Sequence, residues 1–283
     1  MRNAFVIGHP ISHSRSPLIH RYWLKEFGIP ADYEAIDVAP EALEKFFARL
    51  RDGAFAGGNV TLPLKERAFA LCDDVSEGAR RIGAVNTLVL EPGEKGNQVH
   101  GRNTDLYGFL ANLDDRAPGW DSDIGEAIVL GAGGASRAIV WALVERGIAR
   151  LRLLNRTKAK AHELVAALDA EFPGRATAHA LDEFGDLAPA ARLVVNTTSI
   201  GMHGTRFDGL DLGRLPRHAL VTDIVYVPLE TPLLAEARAL GLRTVDGLGM
   251  LLHQAVPGFE AWFGARPRVS DDLRTLVVRS LGG

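Results

Sequence analysis

The stretch from Ala127 to Ala138 constrains this chain more than any other. A short apolar run, Ala127 to Leu130, is followed without a break by Gly131-Ala132-Gly133-Gly134-Ala135-Ser136-Arg137-Ala138, and a helical apolar pattern continues to Arg146. Strand, glycine turn and helix in that order are the opening of a parallel α/β unit that holds a dinucleotide. Gly131 permits the tight turn and Gly133 lets backbone N–H groups approach a diphosphate. The helix N-terminus then favours the anion. Ser136 stands where a third glycine is usual and is expected to loosen the helix-to-strand packing slightly.

The next strand, Leu151 to Leu154, tests which dinucleotide. A site for NAD places Asp or Glu about 20 residues beyond the glycines, to bond the ribose 2′-hydroxyl. Here the strand ends in Asn155-Arg156-Thr157-Lys158-Ala159-Lys160. Arg156 can stack on adenine and pair with a 2′-phosphate, and Lys160 can add charge. Lys158 also reads as a solvated helix start. The cofactor predicted is NADP.

Composition narrows the remaining choices. With 283 residues, 47% hydrophobic and 24% charged, the chain is long enough for two domains with separate cores. A net charge of -3 offers no basic excess for nucleic acid. No run of 18 apolar residues suggests a membrane span, and a cytoplasmic protein is expected. Cys72 is the single cysteine, read as a small half-buried residue, and the nine histidines show no ligand spacing. No metal is predicted.

The N-terminal part alternates strands (5–7, 32–36, 57–60, 86–90) with helices (17–27, 40–51, 63–71), so a largely parallel sheet is expected there. Pro17, Pro40 and Pro63 each stand where a first helical turn would begin. Residues 91–97 read as a hairpin, 104–113 as a helix leading out, and 114–125 as a linker. Further strands are predicted at 151–154, 192–196, 220–224 and 243–245. The expected domains are 1–105, completed by helices over 250–283, and 106–249.

Polar clusters gather at the predicted strand ends, where α/β sheets bind ligands. Ser12-His13-Ser14-Arg15-Ser16-Pro17 offers hydroxyls and backbone donors suited to a carboxylate, or an ordinary helix cap. Asn59-Val60-Thr61-Leu62-Pro63-Leu64-Lys65 sets Asn59 and Thr61 on one side of a strand end, with Lys65 in the helical turn beyond. Asn86-Thr87 and Asn103-Thr104-Asp105 end two more connections.

Taken together with Gly8 to Pro17, Gly83-Ala84-Val85-Asn86-Thr87, Asn196 to Met202, Asp223-Ile224-Val225-Tyr226-Val227-Pro228 and Gln254-Ala255, these motifs resemble the shikimate dehydrogenase family, in family order from residue 8 to residue 255. The resemblance implies an N-terminal α/β substrate domain plus a Rossmann-like NADP-binding domain, with the active site in a cleft between them. It implies that Ser14, Ser16, Thr61, Asn86, Asp105, Tyr226 and Gln254 serve the substrate, with Lys65 and Asp105 as the catalytic pair; Asn59, beside Thr61 at its strand end, is counted with the substrate residues. It further implies that Gly131, Ala132, Gly133, Gly134, Ala135, Asn155, Arg156, Thr157 and Lys160 bind NADP, while Ile224 and Gly247 approach its nicotinamide end. Three positions depart from the family pattern. Arg21 follows His20 where Asn is common, Thr197 stands for a common Ala, and Lys160 for a frequent Arg.

The chemistry so implied is the reversible reduction of 3-dehydroshikimate to shikimate by NADPH. A ketone receiving hydride becomes an alkoxide and needs a proton donor within hydrogen-bond reach. Lys65 and Asp105 are the candidates, and sequence does not choose between them. A dual quinate/shikimate dehydrogenase and a catalytically silent NADP sensor are the competing readings. The protein is expected to be a monomer or homodimer.

Overall fold

The computed structural model describes residues 3–94, 96–123 and 125–282. Lys95, in the predicted hairpin turn, and Ile124, in the predicted linker, lie outside the described residues. The chain divides into two compact units, Met1–Asp105 with Leu252–Gly283, and Leu106–Leu251.

The first unit begins β1 (Asn3–Gly8), α1 (Ser16–Glu26), β2 (Tyr33–Asp37), α2 (Leu43–Arg51) and β3 (Phe55–Val60). It continues α3 (Lys65–Leu71), β4 (Asp74–Val75), α4 (Glu77–Ile82), β5 (Thr87–Gly93) and β6 (Gly96–Arg102), and Asp105 opens α5 (Asp105–Arg116). Its six strands run in the order β2-β1-β3-β5-β6-β4. β1 is parallel to β2 and β3, and β4 to β6, whereas β5 is antiparallel to both β3 and β6. The sheet is thus largely parallel, as expected, and the predicted hairpin at 91–97 makes β5 its antiparallel member. The β5–β6 hairpin turns a strand round, because so short a connection leaves no room for a crossover helix.

One of the three prolines departs from its predicted place. Pro17 lies in the first turn of α1 and Pro40 opens a 3₁₀ turn that runs directly into α2, but Pro63 follows a cis peptide bond two residues ahead of α3. On one face of the sheet Phe5 packs edge-on against Phe46 and Phe55, with Phe47, Leu50 and Val85 buried around them. The returning chain, residues 252–283, completes this unit. Trp262 of this segment donates to the Leu88 carbonyl at 2.8 Å, and Trp23 to the Arg268 carbonyl at 3.1 Å.

The second unit contains β7 (Glu126–Leu130), α6 (Gly134–Glu145), β8 (Arg150–Asn155), α7 (Lys158–Asp169) and β9 (Ala176–Ala180). Then come α8 (Phe184–Leu187), β10 (Leu193–Asn196), β11 (Ile200–His203), β12 (Leu220–Asp223), α9 (Pro232–Ala239) and β13 (Arg243–Val245). Helix α10 (Leu248–Phe263) carries the chain back to the first unit, and α11 (Asp271–Leu281) ends it. Six strands pair in parallel in the order β13-β12-β10-β7-β8-β9. Read in chain order this is 6-5-4-1-2-3, the doubly wound dinucleotide-binding arrangement, whose order reverses between β7 and β10. β7, β10 and β12 are buried at every residue, as strands covered by helices on both faces must be. β9 is an addition to the expected strands: Ala-Thr-Ala-His-Ala at the sheet edge carries no apolar run to betray it. Among the described residues, no helix is long and apolar enough to cross a membrane.

Candidate active site

In the first unit, the ends of β3 and β6, the start of β5 and the first turns of α3 and α5 meet around Asn86. Its backbone carbonyl accepts from Val60 N–H at 2.9 Å, and its own N–H donates to the Arg102 carbonyl at 3.0 Å. Asn103 accepts from Asp105 N–H at 3.0 Å, so the start of α5 is capped by a neighbour and the Asp105 carboxylate is left to face inward. Lys65 stands at the start of α3, where its carbonyl accepts from Val85 N–H at 3.1 Å.

These anchors bring Lys65 Nζ to 2.7 Å from Asp105 Oδ2, with side chains 24% and 16% exposed. Asn86 Nδ2 donates to the other carboxylate oxygen, Asp105 Oδ1, at 2.8 Å. It also lies 3.4 Å from Gln254 Oε1. Of the predicted catalytic and substrate residues, Asn86, Asp105, Lys65 and Gln254 therefore form one connected group. Ser14 accepts from Ser16 N–H at 3.3 Å, in the turn before α1. Thr61 follows β3 and donates its N–H to the Ile7 carbonyl at 2.8 Å, leaving its half-buried side chain at the strand end. Tyr226 belongs to the second unit.

Asn59 is placed differently from the expectation. It is buried within β3, and its Nδ2 donates to the Asn86 carbonyl at 3.0 Å and to Thr87 Oγ1 at 3.1 Å. Its Oδ1 accepts from the Tyr33 hydroxyl at 2.6 Å. Three more residues that sequence reasoning passed over join this group, and a fourth packs beside it. Thr87 donates to Asn86 Oδ1 at 2.9 Å, and Thr104 donates to the Gln254 carbonyl at 2.8 Å. His20 stacks on Tyr33, with ring centroids 4.1 Å apart and planes 11° from parallel. Thr87 and Thr104 stand inside motifs already quoted and could be found there. Tyr33 and His20 carry no such signal.

Burial governs the titration of two of these groups. The His20 imidazole is fully buried with no hydrogen-bond partner on either nitrogen. Loss of solvation lowers its pKa to about 3 and outweighs the Asn59 side chain, which pulls the other way. Burial likewise holds the Tyr33 phenol well above its usual range. Cys72 is pushed up to about 12 by burial and the neighbouring Asp73, which leaves a protonated thiol donating to the Ala68 carbonyl.

The second unit carries the cofactor residues around the point where strand order reverses. Gly131, at φ +111°, turns the chain out of β7, and a Cβ there would lie 2.7 Å from Thr197 Oγ1. α6 begins at Gly134, with open space beside Gly133 and Gly134, and Ala132 and Ala135 flank them. The expectation for Ser136 needs correcting. Gly133 N–H donates to Ser136 Oγ at 3.0 Å, so the first-turn N–H groups from Gly134 onward are the ones left for an anion. Ser136 Oγ lies 2.6 Å from Thr197 Oγ1, which donates to the Leu130 carbonyl at 2.7 Å. Because the single Thr197 hydroxyl hydrogen is committed to Leu130, Ser136 must donate to Thr197. A fully buried Ser136 thus ties α6 to the ends of β7 and β10 and does not loosen them.

At the end of β8, Asn155 donates to the Thr157 carbonyl at 2.9 Å, shaping the turn that carries Arg156. Lys158 is paired with Glu183 at 2.8 Å. Lys158, together with the Ala180 N–H and His179, draws the Glu183 carboxyl down to about 2. Arg156 and Lys160 are exposed and have no ion-pair partner among the described residues. Beyond β12, Ile224 donates its N–H to the Asn196 carbonyl at 3.1 Å. Gly247 lies so close that a Cβ would come within 2.5 Å of the Ile224 carbonyl oxygen. Asp223, buried beneath them, accepts from Asn196, Val225 N–H and Thr231. Loss of solvation raises its pKa despite these bonds. An open glycine turn at a helix start, two unpaired cations at the next strand end and a close-packed Ile224–Gly247 floor fit a phosphorylated dinucleotide.

Three family models match this chain. The shikimate dehydrogenase substrate binding domain matches residues 6–88, the shikimate / quinate 5-dehydrogenase model 120–224, and the shikimate 5′-dehydrogenase C-terminal domain 247–276. The shikimate dehydrogenase (NADP(+)) of Mesorhizobium japonicum is 55% identical over 280 residues, covering 99% of this chain and 97% of that one. The structure of shikimate 5-dehydrogenase from Thermus thermophilus, in complex with NADP(H) and shikimate, is 38% identical with a TM-score of 0.82, over 99% of this chain and 100% of that one. Quinate dehydrogenase from Corynebacterium glutamicum, in complex with NAD, is 31% identical with a TM-score of 0.88, over 98% and 99%. With identity at this level over nearly the whole length, the chain belongs to the shikimate dehydrogenase family.

Proposed function

We propose that this chain is an NADP-dependent oxidoreductase that reversibly reduces 3-dehydroshikimate to shikimate, with Lys65 and Asp105 as its catalytic pair. The observation that carries the reading is the Lys65–Asp105 ion pair at 2.7 Å, braced by Asn86 within the unit that the substrate-binding family model overlaps. NADPH, when bound, supplies the hydride. Gly131 to Ala135 would receive its diphosphate at the start of α6, Asn155 to Thr157 with Lys160 its adenosine 2′-phosphate, and Ile224 with Gly247 its nicotinamide end.

Lys65 Nζ gives its proton to the oxygen that becomes the hydroxyl, and recovers it in the reverse direction. Asp105 holds that ammonium in place through Oδ2, while Asn86 fixes the carboxylate through Oδ1. Ser14 and Ser16 hold the substrate carboxylate at the turn before α1. Thr61, Asn86 and Gln254 orient the ring hydroxyls.

The test is the initial rate of NADP⁺ and NAD⁺ reduction with shikimate and, separately, quinate, followed at the absorbance of the reduced nicotinamide. Turnover of shikimate with NADP⁺ is the expected result. Binding of NADPH without turnover would refute the catalytic reading, and equal turnover of quinate or with NAD⁺ would refute the stated specificity.

A further inference from the structure

We propose that Tyr33, Asn59 and Thr87 form a positioning array for Asp105, and that Asn59 serves this array instead of touching the substrate. The inference rests on the catalytic reading of Lys65 and Asp105 given above. It is carried by the direction of each hydrogen bond. The Thr104 backbone N–H can only donate, and it meets Asn86 Oδ1 at 2.9 Å. The Asn86 amide is thereby fixed with Nδ2 toward Asp105 Oδ1.

The same reasoning fixes the next amide. The Asn86 backbone carbonyl can only accept, so the side chain that bonds it must present Asn59 Nδ2. Asn59 Oδ1 then faces the Tyr33 hydroxyl, which donates at 2.6 Å. Both Asn59 amide hydrogens are committed, one to Asn86 and one to Thr87 Oγ1. Thr87, having accepted from Asn59, turns its own hydrogen to Asn86 Oδ1 at 2.9 Å. The donors therefore run one way, from Tyr33 through Asn59, Thr87 and Asn86 to Asp105. Tyr33 and Thr87 are buried, and the His20 ring stacked on Tyr33 holds its plane. Buried and fully satisfied networks hold their members in one arrangement, and proton transfer at Lys65 depends on where Asp105 holds it.

The experiment uses the full chain with shikimate and NADP⁺. Thr87→Val keeps the volume and removes the hydroxyl, Thr87→Ser keeps the hydroxyl, and Tyr33→Phe removes the terminal donor. Thr87→Val is expected to lower kcat about tenfold, the equivalent of one hydrogen bond. KM for shikimate and for NADP⁺ should stay within about twofold by the same reasoning. Thr87→Ser restores kcat, and Tyr33→Phe lowers it in the same direction by a smaller factor. A wild-type kcat in Thr87→Val, or an equal loss in Thr87→Ser, overturns the array. So does a rise in KM for shikimate at unchanged kcat, which would mark a substrate contact. If Thr87→Val fails to fold, Tyr33→Phe decides, with unchanged kcat overturning the proposal. Exchange of the Asn86 side-chain amide protons, read by NMR, accelerates in both hydroxyl-removing variants. That readout stands even if the wild-type protein does not turn over shikimate, a result that would refute the functional reading alone, and unchanged exchange overturns the array.

Discussion

Acid should weaken the first unit through His20, by an amount that the structure determines. The imidazole is 0% exposed, without a partner on either nitrogen, and titrates at about 3 when folded. An unfolded chain binds that proton near pH 6.5. Because the folded value is the lower one, the unfolded state binds more protons below 6.5. His20's contribution is therefore fully present above about pH 6.5 and is lost as pH falls from there toward 3. Between pH 8 and pH 5 linkage gives a loss of about 2 kcal/mol from this residue. The figure is governed by the unfolded side, since pH 5 lies well above the folded value.

The assay is urea unfolding at the two pH values, followed by the fluorescence of Trp23 and Trp262. Trp120 and Trp141 are replaced by Phe so that the second unit is silent. His20→Leu removes the titration and leaves an apolar side chain in an apolar site. Its absolute stability will change with packing, so the readout is the loss from pH 8 to pH 5 within each protein. The parent should lose about 2 kcal/mol more than His20→Leu. Equal losses in the two would refute the assignment of a buried, neutral and unpaired imidazole.

Lys65→Ala should lower kcat by about 10² to 10⁴ with a smaller change in KM for shikimate, and steady-state rates near the wild type would remove Lys65 from proton transfer. Arg156→Ala should weaken NADPH far more than NADH in a fluorescence titration, whereas Lys158→Ala, whose ammonium is already paired with Glu183, should leave the ratio unchanged. Equal losses for both cofactors in Arg156→Ala would place Arg156 away from the 2′-phosphate. Ser136→Ala and Thr197→Val should each weaken NADPH and NADH alike, because both cofactors carry the diphosphate, and the double variant should lose less than the sum. Additive losses would mean that the 2.6 Å contact between the two hydroxyls does not couple them.

Much of the architecture is legible in the sequence because its signals are local. The glycine turn at 131–135, the basic end of β8 and the polar strand ends at 59–65, 86–87 and 103–105 are each written within a few consecutive residues. Turn geometry, helix starts and strand ends depend on near neighbours, so these segments can be located from the sequence alone. β9 escapes because an edge strand of small residues has no apolar period to show, and the place of β5 beside β3 escapes because which strands become neighbours is not a local property.

What only the tertiary structure decided is which donor meets which acceptor. Lys65 and Asp105 are 40 residues apart, Ser136 and Thr197 are 61 apart, and Asn86 and Gln254 are 168 apart. Each pair meets because strand order and helix return bring distant segments together. The sequence marked Asn59 as a polar residue at a ligand-binding strand end, yet its neighbours Tyr33, Thr87 and the Asn86 carbonyl take up its oxygen and both amide hydrogens. The sequence also marked Ser136 as a missing glycine, yet Thr197 makes it a bond. A side chain's chemistry is set by its residue type, but a hydrogen bond needs a partner at about 3 Å, and only the fold supplies that distance.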